Sequence, residues 1–276
     1  MTERRRMTFV YIVLAICMGI SLFPLYWGVV TALKTRAEFF QYPPTFWPQV
    51  LTLQNFIDAW TWGGGKGILD SAIVALSTTG LSLIIGLFAA YTIARWGTGG
   101  PHLSFFILTM RMLPPVVPAI SYYLIIKRGF LFFPPFDTHL LLICLYSLFN
   151  IPFVVWIMKG FFAEIPPELE EAAQLAGVSR IRAFWDVVLP LARPGLVAVS
   201  LFCIFFSWNE FLFSLFLTST NVRTLPKVIP FLITEQEPMW GAINAVCIYS
   251  IVPMIIMAFV LQKYLVRGLT YGAVRG

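Results

Sequence analysis

Few residues in this chain have the type and spacing to do chemistry, and most of those few sit in apolar surroundings. His102 and His139 are the only two histidines, and neither belongs to a His-Glu-x-x-His spacing or to a paired-acid motif. The four cysteines, Cys17, Cys144, Cys203 and Cys247, fall in long apolar runs without metal-ligand spacing. They read as small membrane-buried hydrophobes rather than as a disulfide framework. Gly63-Gly64-Gly65-Lys66-Gly67 is glycine-rich, but Trp60 stands where a phosphate loop needs Gly, and Gly67 where it needs Ser or Thr. Arg111 and Glu210 are different, because each is ionisable inside an apolar run. Such a side chain costs a few kcal/mol at span depth unless it meets a partner or water. Two readings stay open: the pair lines a solute pathway, or it fixes helix packing by pairing internally, with each other or with Asn209.

The elements that must position these residues follow from composition. Of 276 residues 59% are hydrophobic and 16% aromatic, while 12% are charged against about 25% in soluble domains. A span needs about 20 apolar residues. Six runs qualify, at approximately 9–33, 68–94, 103–126, 139–161, 195–217 and 242–261, which predicts an all-α polytopic membrane protein with both termini on one side. The first run is too long for a signal-peptide core and is read as a retained span. The terminal side carries 11 Lys and Arg against 7 on the other, so the positive-inside rule places both termini in the cytoplasm. The net charge of +6 flanks spans and forms no stripe of the kind that binds nucleic acid. Pro114, Pro115 and Pro118 break the third run beside Arg111 and free backbone carbonyls, which protein or a water-filled cavity must satisfy. Tyr122, Tyr123, Trp208 and Phe211 offer ring faces and Asn209 an amide, although any single ring is better explained as a packing or lipid-facing aromatic. The stretch between the first two runs, with Trp47, Trp60 and Trp62, suits the outer membrane interface, and Thr52 to Trp60 is read as a short surface helix.

The inner stretch 163–194 is far longer than a turn requires. Pro166-Pro167 followed by Glu168, Glu170 and Glu171 puts proline and carboxylates where a helix begins. Ala172, Ala173, Gln174, Leu175 and Ala176 continue it, Gly177 supplies a left-handed close, and Ser179 caps a second helix ending at Pro190. This helix–turn–helix is expected to expose Leu169, Ala173, Ala176, Ile181, Phe184 and Trp185 among charges, with a small-residue ridge of Ala172, Ala173, Ala176 and Gly177. Something must cover that surface, either another protein or the chain's own spans.

Glu171-Ala172-Ala173, the spaced Gly177 and Val187-Val188-Leu189-Pro190 resemble the coupling-loop signature of permease subunits of binding-protein-dependent ABC importers. The family commonly has Asp before the glycine, where this chain has Ala176, and Ile where Val187 stands. Ser207-Trp208-Asn209-Glu210-Phe211 resembles a signature of the carbohydrate branch. The tail, Val266-Arg267-Gly268-Leu269-Thr270 and then Gly272-Ala273-Val274-Arg275-Gly276, resembles that of the smaller permease subunit of maltose-type transporters. The resemblance implies a type I importer in the bacterial inner membrane. Its pathway is built with a second permease subunit, two ATPase subunits bind ATP and Mg, and a periplasmic binding protein delivers a sugar or sugar-like solute. No cofactor is expected in this chain. By the same resemblance Glu170, Glu171, Ala172, Ala173, Gly177, Arg180, Leu189 and Pro190 serve the ATPase-coupling loop, while the tail 263–276, with Gly268, Leu269, Thr270, Gly272 and Gly276, reaches toward the ATPases. Arg111, Tyr122, Tyr123, Trp208, Asn209 and Glu210 are the pathway candidates. An amino-acid, peptide or phosphate permease would share the coupling loop and less often the other two motifs, and a membrane-embedded enzyme lacks its catalytic groups.

Overall fold

The computed structural model describes residues 3–112, 114–128 and 134–271, and every regular element among them is a helix. In chain order these are α1 (Glu3–Ala32), α2 (Arg36–Phe39), α3 (Gln54–Ala59), α4 (Gly65–Trp96), α5 (Gly100–Met112), α6 (Val116–Lys127) and α7 (His139–Glu164). There follow α8 (Glu168–Leu175), α9 (Arg180–Ala183), α10 (Leu189–Leu191), α11 (Arg193–Trp208), α12 (Leu212–Leu217), α13 (Leu225–Phe231) and α14 (Trp240–Tyr271). Among the described residues four helical stretches are long and apolar enough to cross a membrane: 7–32, 54–96, 139–164 and 240–260. Two bent pairs pass the same test together, α5 with α6 at 82° and the segment Arg180–Leu191 with α11 at 80°.

The surface helix expected at 52–60 begins at Gln54 and is not separate. α3 runs through a wide π turn at Trp60–Gly64 into α4, and the change of direction falls on Gly63 at φ 115°, open only to a residue without a Cβ. The run 195–217 is likewise interrupted: α11 stops at Trp208 and α12 starts at Leu212, leaving Asn209, Glu210 and Phe211 between two helix ends. The break in the run 103–126 falls where its prolines stand.

The chain groups into two compact units, one made of residues up to Lys66 with Val228–Val252, the other of Gly67–Lys227 with the segment from Pro253. In the first, α1 leaves most of its large apolar side chains exposed from Phe9 to Val29 and buries Val30 and Ala32. Its polar knot is the loop after α1. Lys34 is buried, donates to the Thr45 carbonyl and lies 4.7 Å over the Trp27 ring. Glu38 accepts from the amides of Gln49 (2.9 Å) and Val50 (3.3 Å), and these bonds, the Gln49 amide first, hold its carboxyl below the ordinary value.

In the second unit α7 is the central element, with buried residues along its whole length. One cluster joins Leu87 and Tyr91 of α4 to Val154, Met158 and Phe162 of α7, to Phe184 and Val188, and to Val199 and Cys203 of α11. Small residues allow the close approaches: a Cβ on Gly86 would meet Val154 Cγ1 at 2.6 Å, and one on Gly195 would run into the Phe161 ring. A second cluster gathers Val74, Leu141, Leu145 and Tyr146 with Phe213 and Leu217 of α12.

Candidate functional site

The loop between α7 and α11 builds itself from local rules. Pro167 stands at the N-cap of α8, with Glu168, Glu170 and Glu171 in the first turn. At the other end the Val178 amide reaches the Ala173 carbonyl (3.0 Å) and the Gly177 amide the Gln174 carbonyl (2.9 Å). This is the Schellman closure, and Gly177 takes its left-handed position at φ 85°. Ser179 Oγ then accepts from the Arg182 amide (3.4 Å) and opens α9, which widens through a π turn at Phe184–Val188 into α10.

The two faces of this loop differ. Inward, Phe184 is buried, its ring centroid 4.8 Å from that of Tyr91 and 5.4 Å from that of Phe88. Outward, Leu175 is 90% exposed and Ile181 70%, with Leu169, Trp185, Glu171, Ala172, Arg180 and Pro190 also exposed. Ala173 is half-buried, and Leu189 packs on the α4–α7–α11 core. Arg180 Nε donates to Gln174 Oε1 at 3.4 Å, and Arg182 pairs with Asp186 at 3.2 Å. Glu170 does not share the outward face. Its carboxylate is buried, accepts from the Tyr91 hydroxyl and pairs with Arg95, whose Nη1 donates to the Ile165 carbonyl at 2.9 Å.

Arg111 and Glu210 meet at one cavity of about 190 Å³, together with Asn150, Ser207 and Tyr146. No ion pair joins them among the described residues. Arg111 Nη1 donates to the Phe149 carbonyl (2.8 Å), and the guanidinium lies 4.1 Å over the Phe206 ring and 4.8 Å over that of Phe153. Glu210 accepts from the Phe213 amide (3.1 Å) at the start of α12, where unpaired amides favour a carboxylate. Asn150 donates to Ser207 Oγ at 2.9 Å and crosslinks α7 to α11. The break at residues 209–211 therefore lets one helix end present a carboxylate to a space that also holds a guanidinium.

The other pathway candidates lie elsewhere. Trp208 is buried, and Asn209 is exposed with its amide on the Phe205 carbonyl (2.8 Å). Tyr122 packs on Phe213, and Tyr123 on Phe136 at a separate cavity that Lys127 and Thr218 also line. In the tail, Gly268, Leu269 and Thr270 continue α14, whereas Gly272 and Gly276 lie outside the described residues.

Sequence reasoning passed over three polar joints. Besides Tyr91–Arg95–Glu170, Asp137 (φ 62°) accepts the amides of Ser219, Thr220, Asn221 and Val222, and Asp70 accepts the Arg223 amide (2.8 Å) and pairs with His139 (2.9 Å). Their signal was scarcity: in a chain with 13 acidic residues, an acid flanking an apolar run needs a reason to be there.

Long apolar helices, an exposed helix–turn–helix between two of them and ionisable side chains at span depth define a polytopic membrane protein with polar groups set inside its spans. The chain belongs to the family described as binding-protein-dependent transport system inner membrane component, whose model matches residues 82–271. It is the permease subunit of an ABC importer, a multi-pass inner-membrane protein that works with a separate ATPase subunit and a solute-binding protein. It is 33% identical over 258 residues to a probable ABC transporter permease of Sinorhizobium fredii, covering 93% of this chain and 91% of that one. It is 31% identical over 264 residues to a trehalose/maltose transport system permease of Thermococcus litoralis, covering 93% and 92%. Its fold matches a chain from the crystal structure of a bacterial ABC transporter that imports the acidic polysaccharide alginate, with a TM-score of 0.77 at 20% identity, covering 96% and 98%.

Proposed function

We propose that this permease carries a sugar or sugar-like solute by alternating access, paired with a second permease subunit and driven by ATP and Mg bound on two ATPase subunits. The carbohydrate assignment is supported by similarity to the trehalose/maltose permease and by the Trp208-Asn209-Glu210 motif. In this reading both termini and the loop 163–194 face the cytoplasm, in line with the Lys and Arg count. The outward face of α8–α10, with Leu175, Ile181, Glu171 and the short side chains of Ala172 and Gly177, is the face an ATPase cleft covers. Exposure of Leu175 at 90% in a loop outside the spans is the single observation that carries this docking role. A contact between the tail and the same partners is the role that the tail's resemblance suggests.

The cavity around Arg111 and Glu210 is the best candidate for solute contact within this subunit. A cation, a carboxylate, an amide and a hydroxyl beside phenylalanine rings suit a neutral polyhydroxylated ring, which needs donors and acceptors together with an apolar face. The test is ATP hydrolysis and uptake by the full complex in proteoliposomes, scanning sugars and comparing wild type with Glu171→Ala and Gly177→Asp. One sugar stimulates hydrolysis in the wild type, and both variants lose stimulation and uptake. Full coupled transport by both would refute the docking role, and stimulation by an amino acid or peptide instead would refute the carbohydrate reading.

A further inference from the structure

α8 is tied by the covalent chain to α7 and α11, but to α4 only through side chains. Glu170, 5% exposed, turns away from the outward face and into the last turns of α4. Tyr91 and Arg95 stand one turn apart there and hold both of its carboxylate oxygens. Arg95 also holds the Ile165 carbonyl at 2.9 Å, so a single guanidinium grips the helix and the residue that leads into it. Phe184, from the second half of the loop, lies on the same face of α4.

The far end of α4 is fastened the same way. Asp70, 4% exposed, accepts the Arg223 amide at 2.8 Å and pairs with His139 at 2.9 Å, while Ser71 Oγ accepts the Leu225 amide at 2.8 Å. From Asp70 to Arg95 the helix rises about 38 Å at about 1.5 Å per residue.

We propose that α4 is the connecting rod of coupling: the Glu170–Arg95–Tyr91 joint takes up the displacement of α8, and the Asp70 joint hands it to residues 218–225 at the opposite end. Three features suit the role. A buried ion pair resists opening because either partner alone is left as an uncompensated charge. An α-helix keeps its length, and the close-packed core along α4 transmits strain rather than absorbing it. Glu170 is thus a positioning residue, one step behind the docking face that Glu171 belongs to. The proposal rests on the docking role of α8 given above, and the two fail differently: loss of docking releases the ATPase, whereas loss of the rod keeps the ATPase bound and wastes its work.

The experiment uses the full complex with its own ATPase, companion permease and binding protein in proteoliposomes, and reads ATPase retention, solute taken up per ATP, and the ATP-dependent mobility of a spin label at Thr220. Tyr91→Phe deletes one hydroxyl and keeps the ring on Phe184, so its fold is preserved; uptake per ATP is expected to fall about threefold. Glu170→Gln and Arg95→Met are expected to retain the ATPase, lose at least tenfold in uptake per ATP, and abolish the ATP-dependent change at Thr220. The exchanged pair Glu170→Arg with Arg95→Glu is expected to recover most of the coupling. Wild-type uptake per ATP in Tyr91→Phe and Glu170→Gln, an ATP-dependent change at Thr220 that persists in Glu170→Gln, or release of the ATPase from Glu170→Gln would each overturn the proposal.

Discussion

Replacing Asp137 by Asn should open the loop 218–222 without unfolding the bundle. The carboxylate is 7% exposed, and its two oxygens divide four amides equally: Oδ1 takes Ser219 (2.7 Å) and Val222 (3.0 Å), Oδ2 takes Thr220 (3.0 Å) and Asn221 (2.9 Å). Asparagine tolerates the left-handed backbone at φ 62°, so the change isolates the side chain. Either flip of the amide leaves two N–H donors facing an NH₂ group. At about 1.5–3 kcal/mol for each bond to a charged acceptor, the loss is about 3–6 kcal/mol. Its low end corresponds to ~100-fold in the local opening equilibrium. Hydrogen exchange at residues 219–222 in nanodiscs reads this directly, with protection in α7 unchanged. Burial on its own would raise the Asp137 carboxyl, but the amides outweigh burial and hold it below the ordinary aspartate value. The sign follows: the stabilisation is complete above the unfolded value of about 3.9 and is lost as pH falls through the lower folded value. Protection that stays within threefold of wild type in Asp137→Asn would refute the reasoning.

Lys227 is 3% exposed, and burial, only partly offset by Asp137, lowers its amine to about 8 from the ordinary lysine value of 10.5. Between those values the unfolded chain binds more protons than the folded one, so stability should rise by about 3 kcal/mol from pH 8 to 10.5, a rise that Lys227→Met removes from melting curves. Gly86→Ala places a methyl within 2.7 Å of Val154 and is expected to destabilise the α4–α7 contact by about 1–3 kcal/mol. Thermal unfolding in detergent checks this, and an unchanged melting temperature in Gly86→Ala would refute it.

Length and apolarity of the runs already required a helical membrane protein, because in lipid only helices and closed barrels satisfy the backbone, and continuous apolar runs of about 20 residues suit the helix. The helix–turn–helix at 168–191 was legible for a similar reason. Pro167, Gly177 and Ser179 act on backbone groups within four residues of themselves, so their meaning does not wait for the rest of the fold. The break beside Arg111 was legible from its prolines. What lay beyond sequence was every contact whose partners are distant along the chain. Glu170 and Glu171 are adjacent and chemically identical, yet one is buried against Arg95, 75 residues away, and the other is exposed. Helical rotation of about 100° between neighbours, together with the placement of α4, makes that choice. Arg111 and Glu210 were marked as costly charges from sequence alone. That they share a cavity without pairing depends on where α11 stops and on which rings of α7 and α11 take the guanidinium. Tyr122 and Tyr123, chosen for their rings, pack on Phe213 and Phe136, partners that residue type could not name because which face of α6 meets α12 is settled by packing. Asp137 held no role until the turn at 218–222 brought its amides together, since a carboxylate's worth is set by the donors that tertiary structure aims at it.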